Sequence, residues 1–250
     1  MGSGYVNIAT WNLDGPRMSG ARARRLCAHI ATIAADVWVF TETHPEVDPG
    51  SGFRLVASAA PAPDRAGDER WVTIWARTHL DAAPRDCRDA ERAACVRLTE
   101  SAGTIWYVYG TVLPWLGDPR RAPARGAAGF LAALQAQAAD WSAIRAADAA
   151  ARLCVAGDFN QDLLTVGHYY GSRQRREALR AALDQVGLQC PTAGVADPVV
   201  RIAPGHASVD HVCVSQGSPV ATSVTTWPVD AELARTLSDH RGVMATIADA

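Results

Sequence analysis

The sequence predicts a mixed α/β fold in a single domain over residues 1–250. Three observations predict it. The chain opens as strand, helix and buried strand, the pattern of a βαβ unit. Its middle is a series of short strand-like runs with no long helix between them, which predicts antiparallel pairing. Its second half sets two helical stretches among further apolar runs.

Tyr5 to Trp11 alternates apolar and polar residues loosely and reads as the first strand. From about Ser19 a helix follows. Leu26, Ile30 and Ile33 recur at i, i+4 and i+7, with Arg22, Arg25 and Thr32 off that stripe. Val37-Trp38-Val39-Phe40 is a continuous apolar run, as in a strand covered on both faces. Phe53 to Ser58, Trp71 to Ala76, Cys95 to Thr99 and Thr104 to Val112 read as strands separated by turns rich in Pro, Gly and Asp. Residues 59–70, with Pro61, Pro63 and Gly67, form a loop and not a linker, because strands continue on both sides. The alanine-rich stretch from about Arg125 to Ala150 reads as helix, with Phe130, Leu134, Ala138 and Trp141 along one face. Leu153 to Ala156 is another buried strand. Leu179, Leu183 and Val186 mark a second helix that Gly187 is placed to cap. Val209 to Ser215, Ala221 to Trp227 and Gly242 to Ile247 close the chain as strands.

The composition excludes several classes. Hydrophobic residues make up 48% and charged residues 20%, which excludes wholesale disorder and a collagen-like chain. No apolar run approaches the roughly 20 residues of a membrane span. The first residues carry no basic segment ahead of an apolar stretch, so the expected compartment is the cytoplasm. The net charge is −2, so any surface for nucleic acid has to be a local one. Every basic residue is Arg; with the abundant Ala this indicates a coding bias and weakens any single Arg as a sign of phosphate binding. The six cysteines include no CxxC pair, which argues against structural zinc. The spacing of Cys87 and Cys95 suits a disulfide, but the expected compartment argues against one.

Polar residues cluster at strand ends. Asn12 follows Ala9-Thr10-Trp11, and Glu42 follows Trp38-Val39-Phe40-Thr41. Asp158 and Asn160 stand in Gly-Asp-Phe-Asn, Asp210 in Val-Asp-His-Val, and Asp239 and His240 in Ser-Asp-His-Arg. Strand ends are where α/β proteins assemble sites. Carboxylates and an amide are oxygen ligands suited to Mg²⁺ or Mn²⁺. Taken alone, Gly-Asp-Phe-Asn reads first as an Asx turn.

The order of the motifs decides more than any one of them. Trp-Asn-Leu-Asp-Gly (11–15), Thr-Glu-Thr (41–43), Gly-Asp-Phe-Asn (157–160), Val-Asp-His-Val (209–212) and Ser-Asp-His-Arg (238–241) follow one another along nearly the whole chain. This set resembles the endonuclease/exonuclease/phosphatase superfamily, with the deoxyribonuclease I-like fold. The resemblance implies a four-layer α/β/β/α sandwich, in which two mixed, mainly antiparallel sheets pack face to face with helices outside. It also implies hydrolysis of phosphodiester bonds with Mg²⁺ or Mn²⁺. Carried over residue by residue, Glu42 is the main metal ligand, with Asn12 and Asp239 beside it. Asp158 positions or deprotonates the attacking water and Asn160 holds the phosphate. Asp239 orients His240, which stabilises the phosphate, and Asp210 completes the acidic site.

The sequence departs from the family at Thr111, which falls where deoxyribonuclease-type relatives carry a His; Glu69 is the candidate for that histidine's acidic partner. Thr111 is retained as a substrate-binding candidate with Trp115, Tyr169, Arg70, Arg173 and His206 at the cleft rim. Arg173, Arg175, Arg176 and Arg180 read either as a phosphate patch or as a solvated helix face. The expected function is a metal-dependent phosphoesterase, first a nuclease acting on DNA or RNA. The alternatives are a small-molecule or lipid-headgroup phosphodiesterase or phosphatase, and a binding module that keeps the fold without catalysis. The sequence implies no obligate protein partner.

Overall fold

Residues 4–15, 20–61, 67–100, 103–118, 127–216 and 221–248 are described by a computed structural model of the chain. In order they form β1 (Tyr5–Asn12), α1 (Ala21–Ile30), β2 (Val37–Thr43), β3 (Phe53–Ser58), β4 (Arg70–Arg77), β5 (Asp81–Arg85), β6 (Ala93–Thr99), β7 (Ile105–Val112) and α2 (Ala127–Ala147). There follow β8 (Arg152–Asp158), α3 (Arg173–Gln185), β9 (Leu188–Gln189), α4 (Pro198–Ile202), β10 (Asp210–Ser215), β11 (Ala221–Trp227), α5 (Ala231–Leu237) and β12 (Gly242–Ala248).

The strands make two six-stranded sheets, ordered β11-β12-β1-β2-β4-β3 and β5-β6-β7-β8-β10-β9. As the opening pattern predicts, β1 and β2 are parallel with α1 between them. The middle strands pair antiparallel, β3 with β4 and β6 with β7. The sheets face each other through Ile8, Val39, Val72 and Ile74 on one side and Val96, Val108, Ala156 and Val212 on the other. Helices α1 and α5 cover the first sheet, where Leu26, Ile30 and Leu237 pack on Trp11, Trp38 and Phe40. Helices α2 and α3 cover the second, where Phe130, Leu134, Leu179 and Leu183 pack on Tyr109, Leu153 and Val155. These are the four layers that the motifs imply.

The differences from the sequence reading have local causes. Ser19 and the predicted start of α2 lie outside the described residues. Helix α2 ends at Ala147, three residues early, and the Asp148 carboxylate then accepts the Ala151 N–H. β5 contains Pro84, which hides it from a propensity reading; it sits at a sheet edge, where a strand tolerates a missing N–H. β9, α4 and α5 are too short for a hydrophobic period to register, and α4 and α5 are announced only by the caps Asp197 and Asp230. All six cysteines are free thiols, including Cys87 and Cys95.

Strand directions gather the polar strand ends. β1 and β2 run parallel, β1 ending at Asn12 and β2 at Thr43, one residue past Glu42. β12 runs against β1 and therefore starts near Asn12. β10 runs against β8, which puts Asp210 directly across from Asp158.

Candidate active site

Asn12 bridges the two sheets at this end. Its amide Nδ2 donates to Glu42 Oε1 at 3.1 Å and to Asp158 Oδ2 at 3.0 Å. Opposite Asp158, the Asp210 Oδ2 lies 2.6 Å from His240 Nδ1. Asp158, Asp210 and His240 bring their oxygen and nitrogen atoms within 4.8 Å of one another. Ser238 fixes the loop that carries His240: its hydroxyl donates to Asn12 O at 2.7 Å and accepts the His240 N–H at 3.0 Å. Glu42, Asp158, Asp210 and His240 line a cleft of about 460 Å³, with Trp115, Tyr169 and His206 also in its wall.

Positive φ angles at non-glycine residues occur here and nowhere else among the described residues. Asp14, Glu42 and Asn160 have φ of 51°, 45° and 50°. Such conformations are costly and persist where surrounding bonds enforce them. Leu13 N–H and Gly15 N–H donate to the carbonyls of Thr41 and Glu42. Asn160 N–H donates to Asp158 Oδ1 at 2.8 Å, so the Asx turn of Gly-Asp-Phe-Asn is present and lies within the cleft wall. Gly157 has φ 141°, and a Cβ there would sit 2.0 Å from the Thr111 carbonyl, so this position admits only glycine.

The acids shape one another's protonation. Burial pushes Asp158 up to about 7; the Asp210 and Glu42 carboxylates add to this and the charge on His240 opposes it. Burial disfavours charge on His240, yet Asp210, Asp158 and Asp239 outweigh it and hold the imidazole well above the ordinary histidine value. Asp14 is raised by burial and then by Asp239 and Glu42, although Arg22 pairs with it at 3.0 Å. The donors are hard oxygens crowded by their own repulsion, and buried Asp210 Oδ1 has no hydrogen-bond partner among the described residues. That set fits a divalent cation.

Three expected roles need correction. The carboxylate on His240 Nδ1 is Asp210; Asp239, 71% exposed, lies 3.9 Å from Nε2. Both amide hydrogens of Asn160 are spent, on Asp158 Oδ2 at 3.0 Å and on Leu113 O at 2.9 Å, so in this arrangement the residue fixes Asp158 rather than offering its amide to a phosphate. Thr111 faces α2 and not the cleft: it is fully buried and its hydroxyl donates to Gln137 Oε1 at 2.5 Å. Thr111→Ala is expected to lower stability by about 1–3 kcal/mol through the acceptor left unpaired. It should leave kcat unchanged, and thermal unfolding beside a rate assay checks both.

Two of the rim arginines also lie elsewhere. Arg173 pairs on the surface with Glu177 at 2.8 Å. Arg70 turns to its own loop, toward Glu69 O and Asp68. The rest of the arginine cluster braces the segment after Asn160. Arg176 binds Asp162 at 2.6 Å, Arg180 binds Leu164 O at 2.6 Å, and Arg175 is buried against Phe130. Asp162, which the sequence reading missed, also takes the N–H groups of Tyr169 and Tyr170. Burial raises its carboxyl, but these N–H groups, that of Leu164 and Arg176 hold it below the usual range. This anchor sets Tyr169 at the rim, with its ring 5.3 Å from that of His206. Asp14 and Ser238 were missed too, although both lie inside motifs already singled out.

Residues 9–240 match the Endonuclease/Exonuclease/phosphatase family, and the chain belongs to it. Its fold is that of solved structures at low sequence identity. The catalytic domain of Xenopus laevis APE2 is 15% identical, with 97% of this chain and 92% of that one covered and a TM-score of 0.68. The 3'-5' exonuclease NExo from Neisseria meningitidis is 18% identical over 96% and 98% of the two chains, with a TM-score of 0.62. The endonuclease domain of TRAS1, a telomere-specific non-LTR retrotransposon, is 17% identical over 98% of each, with a TM-score of 0.61. No curated protein matches the chain in sequence. Among the described residues no helix is long and apolar enough to cross a membrane.

Proposed function

We propose that this protein is a divalent-metal-dependent phosphodiesterase acting on nucleic acid. The observation that carries the reading is one cleft in which Asn12 ties Glu42 to Asp158 while Asp210 holds His240 opposite them. Glu42, with Asn12, Asp14 and Asp239 beside it, would hold Mg²⁺ or Mn²⁺. When bound, such a cation supplies charge neutralisation at the phosphoryl oxygens.

Asp158, whose carboxyl is made more basic by burial and by the neighbouring Asp210 and Glu42 carboxylates, takes the proton from the attacking water. The water oxygen forms the new P–O bond as the ester P–O bond breaks, and the alkoxide leaves and takes a proton from solvent water. His240, with Nδ1 committed to Asp210, turns Nε2–H toward a non-bridging oxygen and stabilises its growing charge. Asn160 keeps Asp158 in place. The Tyr169–His206 pair and Trp115 at the rim are surfaces on which a base stacks, which favours a nucleic acid. The likeness in fold to the TRAS1 endonuclease domain and the Neisseria exonuclease supports the same class.

A Mg²⁺-dependent panel tests this: plasmid, single-stranded DNA, abasic duplex, RNA, inositol phosphates and sphingomyelin, with Asp158→Ala as the control for contaminating nucleases. Hydrolysis of a nucleic acid that chelation abolishes is expected. Turnover confined to the small or lipid phosphoesters would replace the substrate class. A folded protein inert on all of them would leave a binding module.

A further inference from the structure

The cleft does not end at His240. A second groove of about 850 Å³ continues from it, between the segment after α4 and helix α5. His206, Asp239, His240 and Arg241 line both spaces. The groove is large enough for a ligand of its own. Its walls are apolar at Ile202 and Pro204 on one side and at Ala231 and Ala234 on the other.

Its charges are unevenly spent. Arg22 is committed to the carbonyls of Leu13, Asp14 and Leu237 and to the Asp14 carboxylate. Arg241, at the junction with the cleft, has Nη1 shielded from solvent with no hydrogen-bond partner among the described residues. A buried donor without an acceptor is uncommon and calls for one from outside the chain. Arg235, in the last turn of α5, is exposed and makes no ion pair among the described residues. Among the described residues, a guanidinium with one unpaired nitrogen thus stands beside the reacting centre, and a second guanidinium without an ion pair lies further along the groove. Guanidinium groups suit phosphate oxygens, which they bind through two parallel N–H bonds.

We infer that this groove binds the phosphates that follow the scissile one, so that the substrate is a single polynucleotide strand leaving the cleft along α5. Arg241 takes the first flanking phosphate and Arg235 the next, while sugars and bases lie on the apolar walls. This rests on the phosphodiesterase reading of the cleft and narrows it. A small phosphoester fills the cleft and has no use for Arg235, whereas a strand gains from each added nucleotide until the groove is full.

Two measurements test it on the full chain, with Arg235→Gln, Arg241→Gln and the double variant. Gln is close to Arg in helix propensity, so α5 is preserved. The first is binding of a fluorescein-labelled thymidylate hexanucleotide, by anisotropy over a range of KCl with Ca²⁺ in place of Mg²⁺. The double variant is expected to bind about tenfold more weakly, with a salt slope shallower by about 1.4, the value for two lost contacts on a single strand. The second is kcat/KM with Mg²⁺ for thymidylates from dinucleotide to hexanucleotide. It should rise with length in the wild type and lose most of that rise in the double variant. Equal salt slopes, absence of binding by the wild type, or a kcat/KM independent of length would overturn the inference. Failure of the phosphodiesterase reading looks different: the wild type would not hydrolyse even bis(p-nitrophenyl) phosphate, while binding still depended on the two arginines and so still supported the groove.

Discussion

Asp158→Asn and His240→Ala are each expected to slow phosphodiester hydrolysis by about two to four orders of magnitude, the range for a proton-transfer group or a charge-stabilising donor. The two losses have different origins. Asp158 accepts from Asn12, from the Asn160 amide and from the Asn160 N–H. An Asn there cannot take the water proton and sets one more amide against two that already donate. His240→Ala removes the donor at Nε2 and also strands the Asp210 carboxylate, which is 2% exposed. Breaking a buried pair costs about 3–5 kcal/mol, so the alanine variant is expected to melt early. His240→Gln separates the two effects, because its amide can still donate to Asp210 but carries no charge. Rates measured on all three variants below their unfolding temperatures give the result. Near wild-type turnover by His240→Gln would show that the imidazolium has no part in the chemistry.

Glu42→Gln is expected to raise the Mg²⁺ concentration needed for half-maximal activity by about ten- to a hundredfold or more, since losing even a group behind the ligands costs that much. The substitution keeps the length of the side chain and the φ of 45°, and the Gln carbonyl can still accept from Asn12 Nδ2. What is lost is a hard anionic donor. Removing that charge also takes away one of the carboxylates that raise Asp158. A Mg²⁺ titration that overlays the wild type would show that the cation is held elsewhere in the cleft.

The proposed roles of the cleft and of the groove beside it fall on differently built parts of the molecule. Of the candidate catalytic groups, Asn12, Glu42, Asp158 and Asp210 sit on strands whose register allows little movement, and Ser238 ties the His240 loop to them. The groove is built from a five-residue helix, a seven-residue helix and the segments around them. The rigid part lends itself to the chemistry shared across the family, and the loop-borne part to the choice of substrate.

The layers and most of the charged groups of the cleft were legible in the residues alone. Apolar runs of strand length each end in a polar residue, so Asn12, Glu42, Asp158 and Asp210 were legible as strand-end groups, and His240 as their neighbour. Their order along the chain was enough to name the fold that joins them. Which of these groups meet follows from how the sheets pack. Asp239 is the neighbour of His240 in sequence, yet Asp210, thirty residues away, holds its imidazole, because the antiparallel β8–β10 register sets Asp210 beside Asp158 at the cleft. Thr111 follows the same logic in reverse. Side chains alternate across a strand, and the packing of α2 on β7 assigns Tyr109 and Thr111 to the helix side. The arginines after Asn160 could not be sorted from their spacing either, since their partners Asp162, Leu164 and Phe130 come from other turns of the chain. Period and composition report which face of an element is apolar. Which polar atom finds which partner is a matter of distances between elements far apart in sequence, and these exist only once the sheets have packed.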